Sequence, residues 1–377
     1  MRPGRVLILS AASGAGHLRA AQAVEAACRL RHPQAEVLHL DVLTLTSPAF
    51  RKLYGDGYLD FVNTAPELLG VLYNRTNRQP RNPAREKLKL ALDRLNTRPL
   101  VKAVTAFRPD VICHTHFLPA GIVAHQKRKG AVAAPHAVVI TDFEVHRWWL
   151  CPGVDRYFVA REDNRVHLEA LGEPRDRIRI TGIPIDPVFA EQPDVPALRK
   201  KHGISAELPL LLVLCGGFGV GPVEELVASL WRSVRKAQLT IITGKNEELR
   251  KRLTPLAEQA PLPTKVLGFS REIHEWMAIA DLAVGKPGGL TTAETLARGL
   301  PLVVANPIPG QETRNATMLY EEGAAISGEN PLTVGARVAR LLASPPRLAA
   351  LRRAARGLGR PQAALEIADE LFALAGL

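Results

Sequence analysis

Two adjacent glycines in the last third of the sequence could bind a phosphate. Gly288 and Gly289 follow the apolar run 281–284 and lead into a predicted helix over 290–298. The first backbone N–H groups of a helix have no partner within it, and glycine lets an anion come close to them. Glu294 lies one turn into that helix, where its carboxylate could accept hydrogen bonds from a ribose. The alternative is that the glycines only make a tight turn.

Three polar residues farther along could contact the hydroxyl groups of a sugar. Gln311, Glu312 and Asn315 follow the next predicted strand and its proline-rich turn. Beside a bound phosphate, they could hold the sugar attached to it. They could also form a capping cluster for the following helix, and the residues alone leave both interpretations open.

A histidine follows the first predicted strand. Strand 5–10, the small-residue loop 11–17 and a helix over 18–31 form the opening of a Rossmann-like unit. Arg19 stands where a dinucleotide fingerprint has its third glycine, so no dinucleotide cofactor is expected here. His17 lies at the carboxyl end of the strand, and the ordinary pKa of histidine suits removal of a proton from a hydroxyl group. A capping role is the alternative.

A second acid–base candidate follows the predicted strand 136–140. Asp142 comes directly after this strand, and His146 stands four residues later. Asp142 could orient or deprotonate a neighbouring group, or it could cap the loop. Trp148 and Trp149 could form an exposed apolar edge beside an acceptor, although buried tryptophans are commoner.

No metal site is predicted. His114 and His116 have no second pair of ligands at a recognisable spacing. The cysteines are far apart in the sequence, which favours buried, reduced thiols of a cytosolic protein over disulfides or zinc ligands. They are Cys28, Cys113, Cys151 and Cys215.

The segment 75–102 is strongly basic and contains an amphipathic pattern. It has nine lysines or arginines against two acidic residues. In 84–95, apolar residues at helical spacing are flanked by cations, which is typical of a helix lying on anionic lipid. An ordinary surface helix is the alternative. The residues expected at a membrane are Arg85, Lys87, Leu88, Lys89 and Leu92.

Length and charge narrow the class of protein. The 377 residues are 46% hydrophobic, which is enough for two cores, and the net charge of +12 favours anionic partners such as nucleic acid, membrane surfaces or phosphorylated ligands. The apolar run 6–9 is too short for a secretion signal, and the longest apolar run, 208–215, has only the length of a strand. Any membrane contact is therefore expected to be peripheral.

Alternating strands and helices predict two α/β domains with parallel sheets. The first covers 1–186, a proline-rich linker covers 187–208, and the second covers 209–358. A last helix in 359–377 is expected to pack back on the first domain. Each domain has a glycine loop at the carboxyl edge of its sheet, so the two sheets are expected to face each other across a cleft.

Motifs along nearly the whole chain resemble one family of GT-B glycosyltransferases, that of the monogalactosyldiacylglycerol synthases and processive diacylglycerol glucosyltransferases, glycosyltransferase family 28. The first domain carries SGAGH, TDFEVHRWW and TGIPIDPVF, and the second carries GGFGVG and KPGGLTTAE followed by GLPLVVANPIPGQETRNA. The resemblance implies a GT-B fold, a UDP-sugar as co-substrate, no essential metal or other cofactor, and a peripheral position on the inner face of the cell membrane.

The resemblance also implies roles for individual residues. Residues matching the family's acceptor side are His17 and Asp142 as candidate bases, with His116, His146, Trp148 and Trp149 beside them. Residues matching the donor site are Gly217, Gly219, Gly221, Phe269, Ile273, Gly288, Gly289, Leu290, Thr291, Glu294, Gln311, Glu312 and Asn315.

The expected reaction is transfer of a hexose with inversion to a membrane lipid, with 1,2-diacylglycerol as the expected acceptor. Three alternatives stay open. One is transfer of N-acetylglucosamine to a polyprenyl-linked muramoyl peptide, and another is epimerisation of a UDP-sugar. The third is a basic nucleic-acid-binding protein; nucleic acid is not an expected partner, because the cations collect beside a lipophilic helix and are not interleaved with stacking aromatics.

Overall fold

The computed structural model describes residues 3–12, 14–52, 66–78, 98–217 and 221–377. The chain divides into two compact units. The first comprises Met1–Pro187, Pro309–Gln311 and Arg360–Leu377, and the second comprises Val188–Ile308 and Glu312–Gly359.

The first unit contains a six-stranded parallel sheet in the order β2-β1-β3-β4-β5-β6. Its strands are β1 (Arg5–Ser10), β2 (Glu36–Asp41), β3 (Val111–His114), β4 (His136–Val139), β5 (Arg156–Val159) and β6 (Ile178–Ile180). Its first helices are α1 (Ala15–Arg31), α2 (Pro48–Arg51), α3 (Pro66–Arg78), α4 (Arg98–Phe107), α5 (Phe117–Arg128) and α6 (Glu162–Ala170). β1 lies between β2 and β3, so the direction in which the chain adds strands to the sheet reverses here. We call this point the chain reversal of the sheet. Ligands of α/β sheets bind at such a point.

The second unit contains another six-stranded parallel sheet, in the order β12-β11-β10-β7-β8-β9. The strands are β7 (Leu210–Leu214), β8 (Gln238–Ile242), β9 (Thr264–Leu267), β10 (Leu282–Gly285), β11 (Leu302–Val304) and β12 (Ala325–Ser327). The helices are α7 (Val195–Lys201), α8 (Val223–Ser233), α9 (Glu247–Glu258), α10 (Ile273–Ile279), α11 (Gly289–Ala297), α12 (Gln311–Glu321), α13 (Val334–Leu342) and α14 (Pro345–Leu358). Here the reversal lies between β7 and β10.

Both sheets have continuous apolar strands, which is typical of parallel sheets with helices on both faces. Strands β1 and β7 are buried almost throughout, which fits sheets with helices on both faces. The cysteines Cys28, Cys113, Cys151 and Cys215 are all free and buried, as predicted. No helix in the described part of the chain is long and apolar enough to cross a membrane.

The last helix belongs to the first unit. This helix, α15 (Ala363–Leu374), packs on α1. The ring of Phe372 stacks on His32 with 3.5 Å between the ring centroids. Arg31 and Asp369 pair at 3.6 Å across the same contact. The return of the chain to this unit is therefore held by both apolar and charged contacts.

Two boundaries differ from those predicted. The first helix starts at Ala15, three residues before the predicted start, because the small residues after the N-cap Gly14 continue the helix; His17 therefore lies in its first turn. The predicted linker 187–208 contains a 3₁₀ turn, Pro187–Ala190, and helix α7. Asp194 caps α7 and proline occupies its first turn, so the prolines there start a helix and do not exclude one. The predicted basic helix over 84–95 lies outside the described residues.

Truncating a side chain in the contact of α15 with α1 should destabilise the first unit. Leu371 is fully buried in α15, and Leu371→Ala is expected to lower the free energy of unfolding by about 2 to 5 kcal/mol because it leaves a cavity. Glu366→Ala, at an exposed position of the same helix, is the matched control. Urea unfolding followed by circular dichroism measures both, and equal unfolding free energies for the two variants would contradict this packing.

Candidate functional site

The predicted phosphate turn lies at the chain reversal of the second sheet. Parallel pairing of β7 with β10 places Leu214 beside Gly285, and the turn at Gly288 begins three residues later. A Cβ at Gly285 would lie 2.6 Å from the carbonyl oxygen of Leu214, so only glycine allows the two strands this approach. Gly288 is the N-cap of α11 and makes no side-chain cap, which leaves the first N–H groups of the helix available to an anion.

The residues after this turn face the interior. Gly289 and Leu290 are buried, whereas Thr291 is partly exposed. Glu294 is only 1% exposed. A carboxylate at this depth is costly unless polar groups surround it, so Glu294 is an unusual residue for the buried side of α11.

Glu312 and Asn315 hold the chain around the glycine turn. The amide of Asn315 donates a hydrogen bond to the carbonyl of Pro287 at 2.9 Å. A carboxylate oxygen of Glu312 accepts one from the backbone N–H of Ile308 at 2.7 Å, and burial raises the pKa of this carboxyl group. The Asn315 contact holds the turn before α11, and the Glu312 contact holds the segment before α12.

Two further predicted donor segments lie at the same edge of the second sheet. Gly217 accepts a hydrogen bond from the N–H of Lys245 at 3.0 Å, and Gly221 has a φ of +117°. Gly219 lies outside the described residues. After β9, Phe269 is 65% exposed, which leaves its ring accessible for stacking, and Ile273 is the first residue of α10.

In the first unit, His17 is held in one tautomer. Its Nδ1 lies 3.0 Å from the carbonyl oxygen of Thr115 and 3.0 Å from the hydroxyl of Thr141. A carbonyl only accepts, so Nδ1 carries the proton and the lone pair of the neutral ring is on Nε2. Thr115 also donates from its hydroxyl to the backbone carbonyl of His17 at 2.9 Å. Burial lowers the pKa of His17 to about 4, so the ring is neutral at pH 7.

Asp142 is a buried carboxylate that contacts Trp149, a neighbour of His17. The indole N–H of Trp149 donates to it at 3.4 Å, and the ring of Trp149 lies 5.9 Å from that of His17. The amide of Gln311, which belongs to the first unit, donates to the other carboxylate oxygen. Burial raises the pKa of Asp142 to about 6, although the hydrogen bonds from Gln311 and Trp149 oppose this.

The histidines around this site have structural partners. His116 caps α5 by accepting from the N–H of Leu118 at 3.1 Å, and its ring lies edge-on to His17 at 4.6 Å. His114 contacts His136, with 3.2 Å between their ring nitrogens. Both side chains are fully buried, and burial lowers the pKa of each.

His146 fixes the loop after β4 on helix α3. Its Nδ1 accepts from the N–H of Trp148 at 3.1 Å, and its Nε2 donates to the carbonyl of Tyr73 at 3.1 Å. This arrangement leaves Trp148 42% exposed and Trp149 only 2% exposed. The apolar edge expected from the pair therefore reduces to Trp148, because Trp149 packs in the interior beside His17.

Some predicted residues cannot be placed, and some neighbours of the site were not predicted. Arg85, Lys87, Leu88, Lys89 and Leu92 lie outside the described residues, as does Gly219. Sequence reasoning missed Thr115 and Thr141, which orient His17, and also Lys286 and Asn306, which line a cleft beside Gly221. Asparagine adopts positive φ more readily than most residues, and the φ of +47° at Asn306 could have been suspected from its place between a strand and a proline.

Comparison with solved structures shows the fold. The chain aligns with MurG of Acinetobacter baumannii at a TM-score of 0.63 and 15% identity, covering 98% of this chain and 99% of that one. It aligns with the S. aureus MnaA–UDP co-structure at a TM-score of 0.64 and 12% identity, covering 99% and 97%. Two parallel α/β units, each with a loop site at its chain reversal, make this a GT-B fold, as predicted.

Sequence comparison then gives the family. Residues 17–185 match the family model for monogalactosyldiacylglycerol (MGDG) synthase, and residues 210–363 match the C-terminal domain of glycosyltransferase family 28. The processive diacylglycerol β-glucosyltransferases of Bacillus cereus (strain AH187) and Bacillus mycoides (strain KBAB4) are each 30% identical to it, over 98% of this chain and 93% of theirs. The chain belongs to this glycosyltransferase family, which confirms the predicted family and enzyme class.

Replacing Asp142 by asparagine should stabilise the protein above pH 6. A pKa raised from 3.8 to about 6 means that the fold disfavours the ionised carboxyl group, so wild-type protein loses stability as the pH rises through this window. Asp142→Asn is expected to unfold with about 1 to 3 kcal/mol more free energy at pH 8, with the gap closing towards pH 4. Urea unfolding at both pH values measures this, and a gap that does not change with pH would contradict it.

Proposed function

We propose that this protein transfers a hexose, with inversion at the anomeric carbon, from a UDP-sugar to 1,2-diacylglycerol. The observation that supports a UDP-sugar as the donor is the start of α11, which has no side-chain cap and lies at the β7–β10 reversal. Glu294 is buried one turn into this helix. The acceptor half is supported by membership of a family whose similar members are named as diacylglycerol glucosyltransferases. Glucose and galactose stay open as the hexose.

The start of α11 would stabilise the leaving group. As the bond from the sugar to UDP breaks, negative charge grows on the diphosphate. The N–H groups at Gly289, Leu290 and Thr291 belong to the first turn of the helix, and oriented dipoles of this kind lower the barrier without moving during the reaction. Glu294 would accept hydrogen bonds from the ribose hydroxyls. Stabilisation by the backbone is the reason that we propose a reaction without an essential metal, which is tested by full activity in EDTA.

His17 is the base that the geometry favours. Its Nδ1–H is committed to Thr115, so Nε2 presents a lone pair for the proton of the acceptor hydroxyl. A pKa of about 4 makes it a weak base that is always deprotonated at pH 7, so the proton would move late, after the hydroxyl oxygen has begun to attack. Asp142 is the alternative base, with its pKa raised to about 6.

The pH dependence of transfer distinguishes these bases. A base must be deprotonated to act, so kcat/KM falls as the pH drops below its pKa. If His17 acts, the decline is centred at about 4, and if Asp142 acts, it is centred at about 6. His17→Ala is expected to lower kcat by about 100-fold or more and to leave UDP affinity unchanged. Activity retained in His17→Ala together with a decline at about pH 6 would assign the role to Asp142.

The product identifies the reaction. Purified protein is incubated with diacylglycerol and either UDP-glucose or UDP-galactose, and the lipids are analysed by mass spectrometry. A hexosyl diacylglycerol with one donor supports the proposal. Transfer only to a polyprenyl-linked muramoyl peptide, or conversion of the UDP-sugar without any lipid product, would assign the chain to one of the two alternative reactions.

We also propose that the protein works in the cytoplasm at the inner face of the membrane. Helix α3 of the first unit exposes Leu68 and Val71, which are 58% and 63% exposed, with Arg75 one turn farther along. Two aliphatic side chains next to a cation suit the boundary of an anionic bilayer. The basic segment 75–102 adds charge of the same sign. An anionic lipid surface, and not nucleic acid, is therefore the proposed partner.

Vesicle flotation tests the membrane face. Wild-type protein is expected to float with vesicles that contain anionic phosphatidylglycerol and to stay in solution with neutral ones. The double variant Leu68→Asp and Val71→Asp should float at least about tenfold less, since it replaces two apolar contacts by charges that the lipid repels. Glu67→Asp, at an exposed position of the same helix, is the control. Equal flotation of all three proteins would exclude α3 from the contact.

A further inference from the structure

A cleft in the second unit contains two polar side chains that have no assigned role. It lies beside the carboxyl ends of β7 and β10, and Lys286, Asn306 and Gly221 line it. Within the part of the chain that the structure describes, neither the ammonium of Lys286 nor the amide of Asn306 makes a hydrogen bond or an ion pair. The rest of the lining is apolar and includes Val213 and Leu226.

Lys286 places a positive charge in a partly buried position. Burial lowers the pKa of its ammonium group, while the carboxyl group of Glu312 acts to raise it. Among the described residues, Glu312 forms no ion pair with Lys286. A partly desolvated charge without a paired partner is unfavourable, so the site gains free energy when an anion enters.

Two residues that line the cleft have left-handed backbone conformations and lie close together. Asn306 has a φ of +47° and Gly221 has a φ of +117°, both in the left-handed region. A Cβ at Gly221 would lie 2.4 Å from the amide nitrogen of Asn306, so a side chain there would displace this amide. Left-handed conformations of non-glycine residues persist where the surrounding structure holds them, and they are common where ligands bind.

We propose that Lys286 and Asn306 bind the diphosphate of the nucleotide donor. Lys286 precedes the glycine turn of α11 by two residues in the sequence, so in the proposed complex its charge would act on the same anion as the N–H groups of that helix. Asn306 donates from its amide to a phosphate oxygen. This assignment rests on the proposed function and adds two side chains to a diphosphate site otherwise made of backbone.

Calorimetric titration of the full chain with UDP and with uridine tests Lys286. Lys286→Met is expected to weaken UDP binding by about tenfold to hundredfold, as loss of a charge-assisted hydrogen bond does, and to leave uridine binding unchanged. Lys286→Arg should retain most of the affinity. Lys251→Met, on the exposed face of α9, removes the same charge away from the cleft and should bind UDP like the wild type.

Asn306→Gly tests the amide without a risk of unfolding, because glycine adopts the same positive φ without strain. It should weaken UDP binding by about threefold to tenfold while the Tm stays equal or rises. Wild-type affinity for UDP in both Lys286→Met and Asn306→Gly would overturn this assignment and leave the proposed function intact. A wild-type protein that does not bind UDP would instead overturn the proposed function, and this assignment with it.

Discussion

The backbone N–H groups at the start of α11, which have no side-chain cap in the described part of the chain, are the feature on which the proposed donor site depends. A helix normally satisfies these groups with a side-chain cap, and here the N-cap is a glycine that offers none. Two features of the surrounding structure position that end: Gly285 lets β10 lie close to β7, and Asn315 donates a hydrogen bond to the carbonyl of Pro287. Under the proposed function, contacts of this kind would hold the N–H groups in place for the leaving group.

In the first unit, the surrounding structure orients a histidine that could accept a proton. The carbonyl of Thr115 and the hydroxyl of Thr141 fix one nitrogen of His17, so the other presents its lone pair. Burial lowers the pKa of the His17 ring to about 4 and keeps it neutral, and burial raises the pKa of Asp142 to about 6. Burial thus reverses the usual order of the two pKa values, so that the histidine becomes the weaker base of the two while both groups are mainly deprotonated at pH 7.

The sequence predicted those parts of the structure that depend on local pattern. Apolar runs of strand length between helical segments predicted both parallel sheets, and glycine pairs marked the turns at their reversals. The start of α1 and the helix α7 were missed because small residues and first-turn prolines are compatible with either loop or helix. Contacts between distant segments could not be read from spacing: Thr141 on His17, Asn315 on Pro287 and the burial of Trp149 all depend on tertiary packing. Family motifs supplied the roles that pattern alone left open.

The central claim is that the second unit holds the donor by the start of α11. Hydrogen exchange measured by mass spectrometry, with and without saturating UDP, tests it most directly because it reports on individual backbone N–H groups. The account predicts slower exchange in peptides covering 286–294 and 215–224 when UDP is bound. Unchanged exchange in both segments, with protection confined to peptides of the first unit, would contradict it.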